Sequence, residues 1–152
     1  MTLRATFTAI ALAIVTGACG ATALSPAALD SKHDACSTCR MTVSDPKLAA
    51  QIVAPGEEPR FFDDLGCLRK YLDEYQQPDA VIYVADHRTG EWTPASTAVY
   101  ARLARASTPM ASGLIAHATL ASRSQDAAAG SSTPVEPDIV LGKAVPAARR
   151  RP

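Results

Sequence analysis

Arg60-Phe61-Phe62-Asp63-Asp64-Leu65-Gly66-Cys67-Leu68 changes its periodicity halfway along. Arg60 to Phe62 reads as a short strand, and two carboxylates follow. Asp63 is the expected helix N-cap, because a short acidic side chain accepts a hydrogen bond from the free N–H groups of a first turn. Beyond it Leu65, Leu68, Tyr71, Leu72 and Tyr75 recur at helical spacing, with Arg69, Lys70, Asp73 and Glu74 between them. Gln76-Gln77-Pro78 ends the helix. Cys67 falls in the first turn, where the positive end of the helix dipole favours a thiolate. Asp63 and Asp64 pull the other way.

Working outward, Pro55 to Pro59 is a loop and Leu48 to Ala54 an apolar strand. Ser44-Asp45-Pro46-Lys47 carries turn chemistry, with proline preset for a turn position. Arg40 to Val43 reads as a strand that makes a hairpin with Leu48 to Ala54. On the other side, Ala80 to Ala85 is a strand with Val-Ile-Tyr-Val at its centre, Asp86 to Gly90 a turn, and Glu91-Trp92 the return. Thr97 to Arg105 fits helix or strand, since its Ala and Arg favour one and Val99 and Tyr100 the other. Thr108-Pro109-Met110-Ala111-Ser112-Gly113 is a tight turn that presents a methionine. Leu114 to Leu120 is a strand and Ser122 to Ala129 a short helix. The chain has two loosely similar halves, each a methionine-bearing turn followed by strand and helix, with Met41 in the first and Met110 in the second.

The ends are of another kind. Residues 1–19 read as an export signal: Arg4, an uncharged run from Phe7 to Val15, then Gly17-Ala18-Cys19. Small residues just before a cysteine are what a bacterial lipoprotein signal requires, so Cys19 is the expected lipidation site. The run is short of the ~20 apolar residues that span a bilayer. Residues 20–34 read as a flexible tether, 35–129 as the metal-binding domain, and 130–152 as a Pro/Ala/Arg-rich tail with one edge strand over Asp138 to Val145. Arg149-Arg150-Arg151 is a solvated end. With 152 residues and zero formal net charge, one modest domain is expected and no electrostatic case for nucleic acid exists. Few aromatic residues, three Phe, four Tyr and one Trp, imply a small core.

The chemistry concentrates in Cys36-Ser37-Thr38-Cys39-Arg40-Met41. Two thiols and a thioether within six residues are soft ligands, which select Cu(I) over hard cations. On an extended segment Cys39 and Met41 project from one face, because strand side chains alternate. Export to an oxidising compartment favours disulfides. With Cys19 acylated, Cys36, Cys39 and Cys67 remain, an odd number that leaves a thiol for metal. Cys39, Met41, Met110 and Cys36 are the candidate ligands. Cys67 reads first as a small buried hydrophobe, and His33, His87 and His117 as isolated surface or loop residues, with His33 or His117 able to complete a copper shell.

Taken in order, Cys36-x-x-Cys39-x-Met41, Phe62-Asp-Asp-Leu-Gly-Cys67, the Trp92 turn and Thr108-Pro109-Met110 resemble the NosL family over roughly residues 35–125. These are periplasmic, lipid-anchored copper chaperones associated with nitrous oxide reductase. The resemblance implies an α+β fold of small antiparallel sheets and helices in two ββα-type halves. It implies Cu(I) binding and delivery to apo nitrous oxide reductase or its ABC-type maturation complex. Cys39 and Met41 match the family's Cys-x-Met, and Met110 its Pro-Met. Arg40 and Ala111 stand where the family usually has glycine, and His117 where an aromatic is common. The first two change backbone freedom beside the proposed ligands.

Three other classes fit these residues less well. A thiol-disulfide oxidoreductase would use Cys36 and Cys39, yet a thioredoxin-like Cys-x-x-Cys opens a helix after a strand, and here Met-Thr-Val and a turn follow. Structural zinc wants four well-spaced Cys or His ligands, and a second pair is missing. A metal-free envelope lipoprotein would leave the sulfur cluster unexplained. The chain contains no Ser-His-Asp context and no His-Glu-x-x-His, so catalysis is not expected.

Overall fold

The computed structural model describes residues 24–142 apart from Ala106. The export signal 1–19, Cys19, the end of the expected strand beyond Gly142 and the Arg149–Arg151 tail lie outside the described residues. The fold is α+β. Four strands form one antiparallel sheet in the order β2-β1-β3-β4, from β1 Ala50–Val53, β2 Arg60–Phe62, β3 Val81–Ala85 and β4 Trp92–Pro94. A second sheet has the order β6-β5-β7, from β5 Val99–Arg102, β6 Leu114–His117 and β7 Thr133–Val135. Three helices complete it: α1 Leu65–Glu74, α2 Leu120–Gln125 and α3 Pro137–Leu141. Among the described residues no helix is long and apolar enough to cross a membrane.

The two halves share one connectivity. In the first, β1 pairs antiparallel with β2 and, after α1, with β3 on its other edge. In the second, β5 pairs with β6 and, after α2, with β7. Each half is therefore a ββα unit closed by a third strand. Met110 lies between β5 and β6, whereas Met41 precedes β1, so the two methionines are not equivalent positions in the halves. Thr97–Arg105, open between helix and strand in sequence, contains β5. The β-propensity of Val99 and Tyr100 prevails because β5 is the central strand and buries Tyr100 and Ala101.

Several local expectations shift. Arg40–Val43 is not a strand and makes no hairpin with β1. The segment has only one isolated bridge, Ala35 to Thr42, the nearby Cys36 bridging to Phe61 in β2, and Arg40 sits at φ 67°. The strand expected over Asp138–Val145 is displaced: β7 forms the edge at Thr133–Val135, and Pro137–Leu141 is helical. Pro137 at the start of α3 suits a first turn, where its missing N–H loses nothing. Val140 and Leu141 are buried in the main core beside α1. The upstream stretch read as a tether is anchored along part of its length. The fully buried Gln51 amide exchanges two hydrogen bonds with the Ala27 backbone, and Tyr83 Oη donates to Leu24 O at 2.6 Å.

One core joins both sheets. Ile52, Phe62, Val84, Leu65 and Leu68 from the first half pack in the same cluster as Tyr100, Leu114 and Ala116 from the second. The turn at 108–113 is pressed onto the start of α1. A Cβ added at Gly66 would stand 2.8 Å from Ser112 Cβ and 2.9 Å from Asp64 Oδ1. Helix propensity favours Ala over Gly by ~1 kcal/mol, but here the close approach governs. Gly66→Ala is expected to lower stability by about 1–3 kcal/mol in urea denaturation, opposite in sign to the propensity effect. A stabilised variant would show that the turn does not pack on α1 in solution.

Candidate metal centre

The strand-to-helix junction uses its two carboxylates differently from the sequence expectation. Asp64, not Asp63, is the N-cap of α1. Its backbone is extended and its Oδ1 accepts from Gly66 N at 2.6 Å. The shift by one residue frees Asp63, which is 2% exposed and turns toward the cysteines. Asp63 Oδ2 accepts a hydrogen bond from the Cys39 thiol at 3.3 Å, while its Oδ1 has no hydrogen-bond partner.

The Cys36–Met41 loop is held against this junction by its backbone. Cys36 N donates to Met41 O at 2.8 Å and Arg40 N to Cys36 O at 3.0 Å, closing the loop on itself. Ser37 N donates to Phe61 O in β2, and Thr38 Oγ1 donates to Cys67 O in α1. The result is a cluster in which one ligand atom each from Cys36, Cys39, Asp63 and Cys67 lies within 4.8 Å of every other. All three cysteines are free thiols. Cys36 is fully buried, Cys67 nearly so, and Cys39 partly exposed at the mouth.

Cys67, read from sequence as a small buried hydrophobe, is thus both buried and a donor in the cluster, as is Asp63. Spacing within the Cys36–Met41 motif carries no information about either; only the docking of the loop on β2 and α1 brings them in. Burial pushes the Cys39 thiol up, reinforced by neighbouring Cys36 and Asp63. Cys67 is pushed up much further, by burial first and then by Cys36 and Asp63. At the helix start, desolvation, with Cys36 and Asp63 alongside, outweighs the fractional charge of the dipole.

Met41 and Met110 stand at the surface, 51% and 46% exposed. Strand alternation does not place Met41 beside Cys39, because the loop turns at Arg40. Met110 is held by its backbone: its N–H donates to Asp64 Oδ2 at 3.0 Å, and Thr108 Oγ1 donates to the same oxygen at 2.6 Å. Arg40 and Ala111, at φ 67° and 56°, are the described non-glycine residues in the left-handed region. These are the two positions flagged in sequence as usual glycine sites. A side chain there costs about 1–2 kcal/mol each, so backbone geometry at both candidate loops is retained against a local penalty. His33 is exposed and bound to Asp30, away from the cluster. His87 and His117, read as isolated, are not: His117 is fully buried, and both bind Asp126.

The donor set suits a soft cation. Three sulfurs outnumber one carboxylate oxygen, and the buried, unpartnered Asp63 Oδ1 is satisfied when positive charge comes beside it. Asp64→Ala removes the cap and strands the Thr108 hydroxyl and Met110 N–H. A loss of about 2–4 kcal/mol is expected in chemical denaturation. Amide exchange at Met110 is expected to accelerate with it; unchanged exchange there would refute the clamp.

No curated protein and no solved structure matches the chain. A family model described as NosL matches residues 26–130, well over half of the sequence. That span holds the sulfur loop, the Asp63–Asp64 junction and the Met110 turn together, and a copper-binding role accords with the thiol cluster. The chain belongs to the NosL family.

Proposed function

We propose that this protein is a Cu(I) metallochaperone that carries copper for the maturation of nitrous oxide reductase. The observation that carries the reading is the graded sulfur site. Buried thiols of Cys36 and Cys67 cluster with the half-buried Cys39, and the half-exposed Met41 and Met110 stand on loops whose backbones bond to Cys36 and to Asp64. Cu(I) prefers few, soft ligands. A thioether takes it without proton loss; each thiol that binds it gives up one proton, and the Asp63 carboxylate beside Cys39 is the first acceptor on the way to solvent. Cys39 and Met41 form the core of the site and Met110 closes it from the other half. Cys36 and, from its place in the cluster, Cys67 supply deeper thiolates. A partner's ligands displace the surface thioethers first, so tight holding and fast exchange coexist. The recipient is apo nitrous oxide reductase or its ABC-type maturation complex, and the setting is the periplasmic face of a membrane through a lipid on Cys19. These rest on the family resemblance and the signal-like start of the chain.

A second reading, thiol-disulfide exchange through Cys36 and Cys39, gains nothing from the raised thiols, since the attacking species is the thiolate.

Anaerobic competition titration of the full chain is expected to give one tightly bound Cu(I). Binding should be lost in Cys39→Ala and weakened about tenfold or more in Met110→Ala, by analogy with ligand-shell losses at other metal sites. Failure of the reduced wild type to bind would remove the chaperone reading. Transfer is tested by incubating the Cu(I) form with apo nitrous oxide reductase: maturation by wild type and its absence with Cys39→Ala is the expected pair.

The raised thiols set the pH dependence. Protons compete with Cu(I) wherever the pH is below the thiol values, so affinity rises with pH. The expected slope between about pH 6 and 8 is roughly tenfold per pH unit for each thiol proton that Cu(I) displaces. A flat profile would mean that thioethers alone hold the ion.

A further inference from the structure

We propose that His87, His117 and Asp126 form a second metal site, distinct from the sulfur cluster, for a borderline divalent transition-metal ion of the Zn(II) or Cu(II) class. The three residues arrive from separate elements. His87 follows β3 in a turn organised by Asp86, which accepts from Arg88 N, Thr89 N and Ala118 N. His87 N donates to Ala116 O at 2.8 Å, fastening that turn to β6. His117 is the last residue of β6, paired with Val99. Asp126 stands between α2 and the following 3-10 turn, which it caps by accepting from Ala128 N.

These three meet at a single oxygen. Asp126 Oδ2 lies 2.6 Å from His87 Nδ1 and 2.8 Å from His117 Nε2. One ligand atom of each residue is within 4.8 Å of both others. Two imidazoles and a carboxylate are the donors of three-ligand zinc sites that keep an open position, and imidazole suits copper and zinc alike. Ligands ~2.0–2.1 Å from a tetrahedral ion lie ~3.3 Å apart, so the observed contacts need open by only about half an ångström.

A further observation favours an ion over a purely structural clamp. The group is approachable from the His87 side, where His87 lines a surface cavity of about 300 Å³ with Asp45, Leu103 and Ala128. The borderline N/O set is matched to an ion other than the soft Cu(I) of the sulfur cluster, so the fold would carry two sites of different softness.

The test uses the reduced full chain, loaded first with one equivalent of Cu(I) and then titrated anaerobically with Co(II), with Zn(II) as competitor. One equivalent of Co(II) is expected, with weak d–d bands and no thiolate charge-transfer band, displaced by Zn(II). Thiolate charge transfer at the first equivalent would place Co(II) on the cysteines in preference to the triad and overturn the proposal. Affinity should fall at least about tenfold in His87→Gln and Asp126→Asn and be unchanged in Cys39→Ala. His87 lies at the rim, so His87→Gln is the variant that decides should Asp126→Asn misfold. On wild type alone, Zn(II) should shift the imidazole 15N resonances of His87 and His117. No d–d spectrum, an unaltered spectrum in His87→Gln, or unmoved imidazole resonances would reduce the triad to a hydrogen-bonded clamp and overturn the proposal.

Discussion

The Asp64 carboxylate joins the two halves of the molecule. One oxygen caps α1 through Gly66 N, and the other receives the Thr108 hydroxyl and the Met110 amide. Hydrogen bonds to a charged group are worth about 1.5–3 kcal/mol each when buried, and Asp64 is 1% exposed. The helix that carries Cys67 and the turn that carries Met110 are thereby fixed to one atom group. Gly66 permits the approach, since a Cβ there would collide with Ser112. With Asp64 committed to capping and clamping, Asp63 is left for the thiols.

The sulfur cluster follows from that division of labour. Cys36 and Cys67 are buried and Cys39 is partly exposed, so the thiol cluster has depth and one accessible edge; Met41 and Met110 are exposed on neighbouring turns of the chain. Left-handed backbone at Arg40 and Ala111, next to Cys39 or Met41 on one side and Met110 on the other, keeps these donors on turns and not on strands. Donors on turns can yield to a competing ligand without breaking a sheet, which is the property a copper carrier of the proposed kind requires.

On the far side of the second sheet, the His87–Asp126–His117 group links a turn of the first half to β6 and the α2 end of the second. Whatever it binds, it ties the halves together at a point remote in sequence from Asp64. The fold is thus braced by two carboxylates, each spanning the interface between its two ββα units.

Local signals were legible wherever short-range physics dominates. Arg60–Phe62 as strand, the amphipathic run of α1, Val81–Ala85 between its turn signals and the exposed Met110 turn all follow from periodicity and turn chemistry, as does the soft character of the Cys36–Met41 ligands. Tertiary packing decided the rest. It chose Asp64 over Asp63 as cap, because only that register lets one carboxylate serve both the helix and the distant turn. It converted the expected Arg40–Val43 strand into a loop, because the Ser37 backbone bonds instead to Phe61 and the Thr38 hydroxyl to Cys67. It brought Cys67 into the cluster, and it assembled two histidines thirty residues apart around Asp126. Spacing in the chain describes neighbours on one element; contacts between elements depend on which faces the core draws together, and that is a property of the whole fold.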